Sequence, residues 1–355
     1  MKRAIFMPNW VGDALMATPA LRALRSSFPN DEAVAILQPY VAEVLEGTGL
    51  VDRLIHRVPG KVARKNPSGT ALSGWSLIKA LRQERFDEAI LFPNSLHSAW
   101  LAFAGGAKRR IGFHRDGRCW LLTDRLPAPR KKIPHPALED YLELARAAGA
   151  DVPPPRHARM ELACTEPGLS VWRHFLTTHP TVASAPSFVV LNTGGAFGAA
   201  KDWPVESFAE LARRIVDQTA HAVVILCGPG ERETSLQIES LVNHPRVKSL
   251  GRESLSLSLT KAAIAAASFM VTTDSGPRHF AAALGVPHLV LFGPTHQAWS
   301  ETYSPVSTSI QLALACGPCQ QRVCPLGHHA CMRMLGVDLV WRELKPQLVQ
   351  LAAAA

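Results

Sequence analysis

Short apolar runs alternate along the chain with stretches whose apolar positions recur every three or four residues. The first run, RAIFM (3–7), ends at Pro8-Asn9, and DALMATPALRALRSSF then sets Leu15, Met16, Pro19, Ala20, Ala23 and Leu24 at helical spacing. AVAILQP (33–39) and EAILFPN (88–94) predict further buried strands, with the helical stretches VAEVLEGT and GWSLIKALRQ between them. Continuous apolar strands alternating with helices predict a parallel sheet covered on both faces, the doubly wound α/β pattern.

That alternation stops at LACTEPGLSVWRHFLTTHPTVASAP (162–186), where Pro, Ser and Thr surround one helical piece. It resumes with SFVVLNTGG, HAVVILCGPG, ASFMVTTDSG and PHLVLFGPT, each a strand ending in a loop that carries Gly, Ser or Pro. Two similar halves are therefore expected, 1–165 and 166–355, and a chain of 355 residues is long enough for two cores. Ligands of such sheets sit beyond the carboxyl ends of the strands, which directs attention to those loops.

The helix after ASFMVTTDSG starts at the strand's tip. Pro277 suits its first turn and Gly285 its end. Free N–H groups at Ser275 and Gly276, with the positive end of the helix dipole, suit a phosphate, and Asp274 can hold a sugar hydroxyl beside it. The same Asp-Ser pair reads equally as a plain helix cap. A second loop, LNTGGAFGAAKDWPVESF, runs through Gly194, Gly195 and Gly198 to Lys201. Small residues there let backbone amides approach a diphosphate, and the lysine can neutralise it as it leaves. The spacing is not that of a P-loop, since Ala200 precedes Lys201 and Asp202 follows it. A dinucleotide fingerprint is also absent: Gly47-Thr48-Gly49 lacks the third glycine.

Two more strand tips offer carboxylates. CGPGERET brings Glu231, suited to a ribose or to the start of a helix. In PNWVGDALMATPAL, Asp13 follows Gly12 where the first helix starts, and reads either as a general base for an acceptor hydroxyl or as a cap.

Charge narrows the partners. The formal net charge of +9 favours anionic ones, and cations crowd the first half: Lys61, Arg64 and Lys65, then Lys108-Arg109-Arg110, Arg115, Arg118, Arg125 and Arg130-Lys131-Lys132. No helix-turn-helix, zinc finger or RNP-like motif supports nucleic acid. No apolar run reaches transmembrane length, Pro8, Asn9 and Asp13 interrupt any signal peptide, and seven cysteines without a secretion signal point to the cytoplasm. Four of these, Cys316, Cys319, Cys324 and Cys331, lie in CGPCQQRVCPLGHHACM with spacings that do not match paired Cys-x2-Cys knuckles; free thiols, a redox pair and zinc all fit the pattern.

Taken together, MPNWVGDALMATPALRAL, FPNSLHSAW, RRIGFHRDGR, AKDWPVESFAELA, TTDSGPRHFAAALGVPHLVLFGPT and the cysteine segment resemble the ADP-heptose:lipopolysaccharide heptosyltransferases, especially the heptosyltransferase II branch. The resemblance implies a glycosyltransferase B fold, two Rossmann-like domains facing a cleft, with acceptor on 1–165 and ADP-sugar on 166–355. It implies inverting transfer of L-glycero-D-manno-heptose from ADP-heptose to a heptose of the phosphorylated lipopolysaccharide inner core, at the inner face of the membrane. By position, Asp13 matches the catalytic base, Lys201 the diphosphate-neutralising lysine and Glu231 the adenosine-ribose contact. Asp274, Ser275, Gly276 and His279 match the donor motif. Arg278 departs from that motif's usual uncharged residue, and is expected to bind phosphate or to face solvent. With no Asp-x-Asp in the chain, no cofactor is expected. Another nucleotide-sugar transferase or epimerase, and a non-catalytic binder of anionic glycolipid, remain open at this point.

Overall fold

The structure, a computed structural model, describes residues 1–58, 71–129, 133–195 and 197–354. Lys61, Arg64, Lys65, Ala196 and the run 130–132, named above, lie outside the described residues. The chain forms two compact units, Met1–Ala163 with Ala298–Tyr303, and Cys164–Gln297 with Ser304–Ala355. The segment 298–303 joins the first unit through side chains that no local pattern announces. Trp299 packs edge-on against His135 with ring centroids 5.1 Å apart, and the Tyr303 hydroxyl donates to Glu139.

In the first unit, β1 (Lys2–Phe6), β2 (Glu32–Leu37), β3 (Arg53–His56), β4 (Glu88–Leu91), β5 (Arg109–Phe113) and β6 (Asp124–Leu126) form one sheet in the order β3-β2-β1-β4-β5-β6. The second unit repeats the plan with β7 (Phe188–Asn192), β8 (Ala222–Leu226), β9 (Val247–Ser249), β10 (Phe269–Thr273), β11 (His288–Phe292) and β12 (Ser307–Gln311), ordered β9-β8-β7-β10-β11-β12. Every pair in both sheets is parallel. Each sheet therefore reverses direction once, between β1 and β4 and between β7 and β10, and at such a switch point the flanking loops splay apart and leave a crevice. Central strands such as β8 (AVVIL) are buried throughout because helices cover both faces. Val223, Ile225, Leu289 and Leu291 are fully buried, and each contributes about 1.5–3 kcal/mol relative to exposure.

The first helix is divided into Val11–Met16 and Thr18–Ser27. Pro19 has no N–H to give the Leu15 carbonyl, and Thr18 Oγ1 donates to that oxygen instead at 2.7 Å. The segment that interrupts the alternation contains the helix Glu166–Thr178, whose Trp172 and Phe175 are buried and which packs on the helix Leu257–Ala265.

Several of the cations in the first unit are structural. Arg118 is fully buried and donates to Phe113 O, Pro93 O and Asn94 Oδ1 at 2.9, 2.5 and 2.9 Å, and burial pulls its pKa down to about 10. Arg109 pairs with Glu88 and Asp124, and Lys108 with Asp87. Among the described residues, no helix is long and apolar enough to cross a membrane.

Candidate active site

The loops after β7, β8 and β10 meet at the carboxyl end of the second sheet. Asn192, the last residue of β7, ties two of them together: its Nδ2 donates to Gly194 O at 3.1 Å, Thr272 Oγ1 at 3.0 Å and Ser275 Oγ at 2.9 Å. A Cβ on Gly194 would lie 3.2 Å from Glu231 Cγ, and one on Gly195 would lie 2.6 Å from the Ser275 Cβ. Gly194, Gly195, Glu231, Ser275 and Asp274 are thus brought together at the switch point between β7 and β10. Glu231 accepts from the Gly228 N–H at 2.5 Å, which fixes its carboxylate at the tip of β8.

Lys201 closes this group. Its Nζ donates to Asp274 Oδ2 at 2.6 Å and to the Asp274 carbonyl at 2.8 Å, and stands 4.2 Å from the Phe197 ring centroid. Asp274 also receives Thr295 Oγ1 at 2.6 Å and lies 3.2 Å from the Arg278 Nε. Burial raises the Asp274 pKa, but Arg278 first and Lys201 next outweigh it and hold the carboxyl down at about 2. The carboxylate is therefore ionised and fully engaged. Arg278 is buried, paired with Asp274 and set 5.3 Å over Phe292, so in this structure it faces neither solvent nor open space.

The helix Gly276–Ala283 starts at this point with Ser275 as its N-cap residue in extended backbone conformation and with no side-chain cap bond. The plain-cap reading of Ser275 is thereby replaced: its hydroxyl faces Asn192 rather than the helix. His279 is buried one turn along, its Nδ1 has no hydrogen-bond partner, and burial together with Arg278 pushes its pKa well below the usual imidazole value. It is a neutral ring beneath the loops.

Sequence reasoning missed the supports. Thr295, after β11, and Asn192 were unremarkable polar residues at strand ends. The segment carrying the cysteines also braces the Lys201 loop, with Ala200 N–H donating to Arg322 O at 3.1 Å, and the loop after β11, with Gln320 N–H donating to Pro294 O at 2.8 Å. Gly198, at φ +140°, passes so close to Arg322 that a Cβ would come within 2.7 Å of its carbonyl oxygen. Among the described residues, no group of three or more His, Cys, Asp or Glu is arranged to hold a metal ion.

In the first unit, Asp13 lies in the first turn of the helix Val11–Met16, behind Trp10, so it is not the cap. At the carboxyl end of the same sheet, residues that follow three strands meet at Asn9, in the loop before that helix. Asn9 Oδ1 accepts from Gln38 Nε2 at 3.0 Å and Arg57 Nη2 at 2.8 Å, and the Tyr40 hydroxyl donates to Asn9 O. Arg57 follows β3, a strand the apolar pattern does not predict; Tyr40 and Thr295 follow predicted strands but carry no motif that marks them.

A family model described as glycosyltransferase family 9 (heptosyltransferase) matches residues 74–330. The chain is 26% identical to lipopolysaccharide heptosyltransferase 2 of Escherichia coli, covering 99% of each chain, and 26% identical to lipooligosaccharide heptosyltransferase 2 of Campylobacter jejuni, covering 97% of this chain and 98% of that one. The solved structure of the E. coli ADP-heptose lipopolysaccharide heptosyltransferase II superposes with a TM-score of 0.78 at 25% identity, covering 99% of each chain.

Proposed function

The chain belongs to glycosyltransferase family 9, the heptosyltransferases, and from that premise we propose that it transfers L-glycero-D-manno-heptose from ADP-heptose to a heptose of the phosphorylated lipopolysaccharide inner core. The enzyme works in the cytoplasm, peripherally at the inner membrane. One observation carries the donor assignment: Gly194, Gly195, Lys201, Glu231, Asp274 and Ser275, from three separate loops, converge at one switch point with two cations and a helix start among them.

Asp13 takes the proton from the acceptor hydroxyl as its oxygen attacks the anomeric carbon. The bond from that carbon to the diphosphate breaks on the opposite face, so configuration inverts. The N–H groups of Gly194, Gly195 and Gly276 receive the diphosphate, and Lys201 exchanges part of its contact with Asp274 for the charge that develops on the leaving ADP. Glu231 accepts from the adenosine ribose. Asp274 and the neutral His279 hold the helix start and Lys201 in register. The chain's own residues supply these steps without a cofactor.

Mass spectrometry of the product from ADP-heptose and a heptosylated core acceptor tests the reaction, and addition of one heptose is the expected result. Asp13→Ala is expected to lower turnover by about 10²–10⁴ with donor affinity retained. Near-normal turnover in that variant removes the base assignment, and product from a UDP- or GDP-sugar but not from ADP-heptose removes the donor assignment.

A further inference from the structure

The helix Leu96–Ala104 buries Ala99, Leu101 and Ala102 and turns Leu96, Trp100 and Phe103 outward, 46%, 39% and 51% exposed. These three positions stand at i, i+4 and i+7 and so form one stripe along the helix. Trp120, 64% exposed, lies on the turn Cys119–Leu121 that packs against the same helix. The stripe is not a frayed element: the buried Arg118 clamps the chain just before the helix through Pro93 O and Asn94 Oδ1.

Cations surround it. The Arg110 guanidinium lies 5.5 Å over the Phe103 ring, and Arg82 Nε donates to Ala104 O at 2.7 Å. On the neighbouring helix Gly74–Glu84 and at the residue that ends it, Lys79, Arg82 and Arg85 share a surface depression with Trp75, which is 79% exposed. The nearby acids are already committed, Glu84 to Lys2 and Arg53, and Asp87 to Lys108. Among the described residues, Lys79, Arg82 and Arg85 form no ion pair.

Exposed aromatics cost solvation in water and gain it at a bilayer's headgroup level, where basic neighbours meet lipid phosphates. A protein partner would account for the apolar stripe but not for the unpaired cations beside it. We propose that Leu96, Trp100, Phe103 and Trp120 seat at the headgroup level of an anionic phospholipid bilayer, with Lys79, Arg82 and Arg85 facing the phosphates. This surface deepens the transferase reading and rests on its lipid-anchored acceptor. His97, on the same helix, senses the charge of Arg57, which bonds to Asn9 in the loop before Asp13. The stripe therefore begins beside the tip cluster that would receive the acceptor's sugars.

Flotation of the full chain with phosphatidylcholine vesicles, with and without phosphatidylglycerol, tests the surface. The chain is expected to float with the anionic vesicles and to be released by salt, and W100S/F103S to lose about tenfold or more of that partition. Turnover of the variant on a deacylated, water-soluble acceptor stays at the parent level, which certifies its fold. Equal flotation of parent and variant overturns the surface, as does failure of the parent to float. A W100S/F103S variant that changes only from dimer to monomer in light scattering reassigns the stripe to a second copy and also overturns it. Parent protein that floats but adds no heptose to the soluble acceptor refutes the transferase reading instead.

Discussion

The Lys201 ammonium bridges two oxygens of Asp274, its Oδ2 at 2.6 Å and its backbone carbonyl at 2.8 Å, and so joins the loop after β7 to the loop after β10. The pair is nearly buried, at 12% and 8% side-chain exposure. Arg278 and Thr295 keep Asp274 paired when Lys201 is removed, so Lys201→Met should cost only about 1–3 kcal/mol of stability. The loss of a cation beside the leaving group should lower turnover by about 10²–10³. Denaturant melts and single-turnover assays on the same preparation check both figures, and a large melt effect with intact turnover would make the lysine purely structural.

Acid should unfold the second unit in two stages. Burial, opposed only in part by a bond to Val286 O, depresses His288 to about 4. A group whose folded pKa lies below its unfolded one stabilises fully above the unfolded value, near 6.5, and that contribution drains away as pH falls toward 4. Two and a half units correspond to about 3 kcal/mol at full effect. Asp274, at about 2 against 3.8, contributes its share above pH 3.8 and loses it as pH falls toward 2. Urea midpoints measured from pH 7.5 to 2 should show the first decline shrink in His288→Leu and the second in Asp274→Asn.

Close approach at Gly195 makes a sharp contrast with Gly230. A methyl at 195 meets Ser275 Cβ at 2.6 Å, whereas nothing lies within 4 Å of one at 230. Gly195→Ala should therefore push the loop after β7 off the helix start and raise KM for the donor about tenfold or more, with overpacking of about 1–3 kcal/mol. Gly230→Ala should leave both parameters unchanged. Isothermal titration with ADP reads the difference without the acceptor.

Thiol reactivity should sort the cysteines. Backbone N–H groups, His329 first, lower the Cys324 pKa, while burial and then the neighbouring cysteines raise that of Cys331. Thiolates alkylate and thiols do not, so iodoacetamide near neutral pH should modify Cys324 well before Cys331. Timed peptide mass mapping gives the order, and the reverse order would refute this electrostatic account. Because the segment braces Ala200 through Arg322 O, labelled protein should also bind ADP more weakly.

The apolar alternation alone was enough to determine two parallel doubly wound sheets, because a strand buried on both faces must be apolar throughout and its covering helices must be amphipathic. It also located the strand tips, and with them Asp13, Gly194, Gly195, Lys201, Glu231, Asp274 and Ser275. The strands β3 (RLIH), β5 (RRIGF), β6 (DRL), β9 (VKS) and β12 (STSIQ) escaped because each is short or carries polar residues and none presents a long apolar run. Partnerships were decided only by tertiary structure. That Asp274 is shared among Lys201, Arg278 and Thr295, that Asn192 ties Ser275 to Gly194, and that the cysteine segment braces Ala200 all join residues far apart in sequence, and no local periodicity encodes which distant groups a parallel crossover brings within hydrogen-bond range.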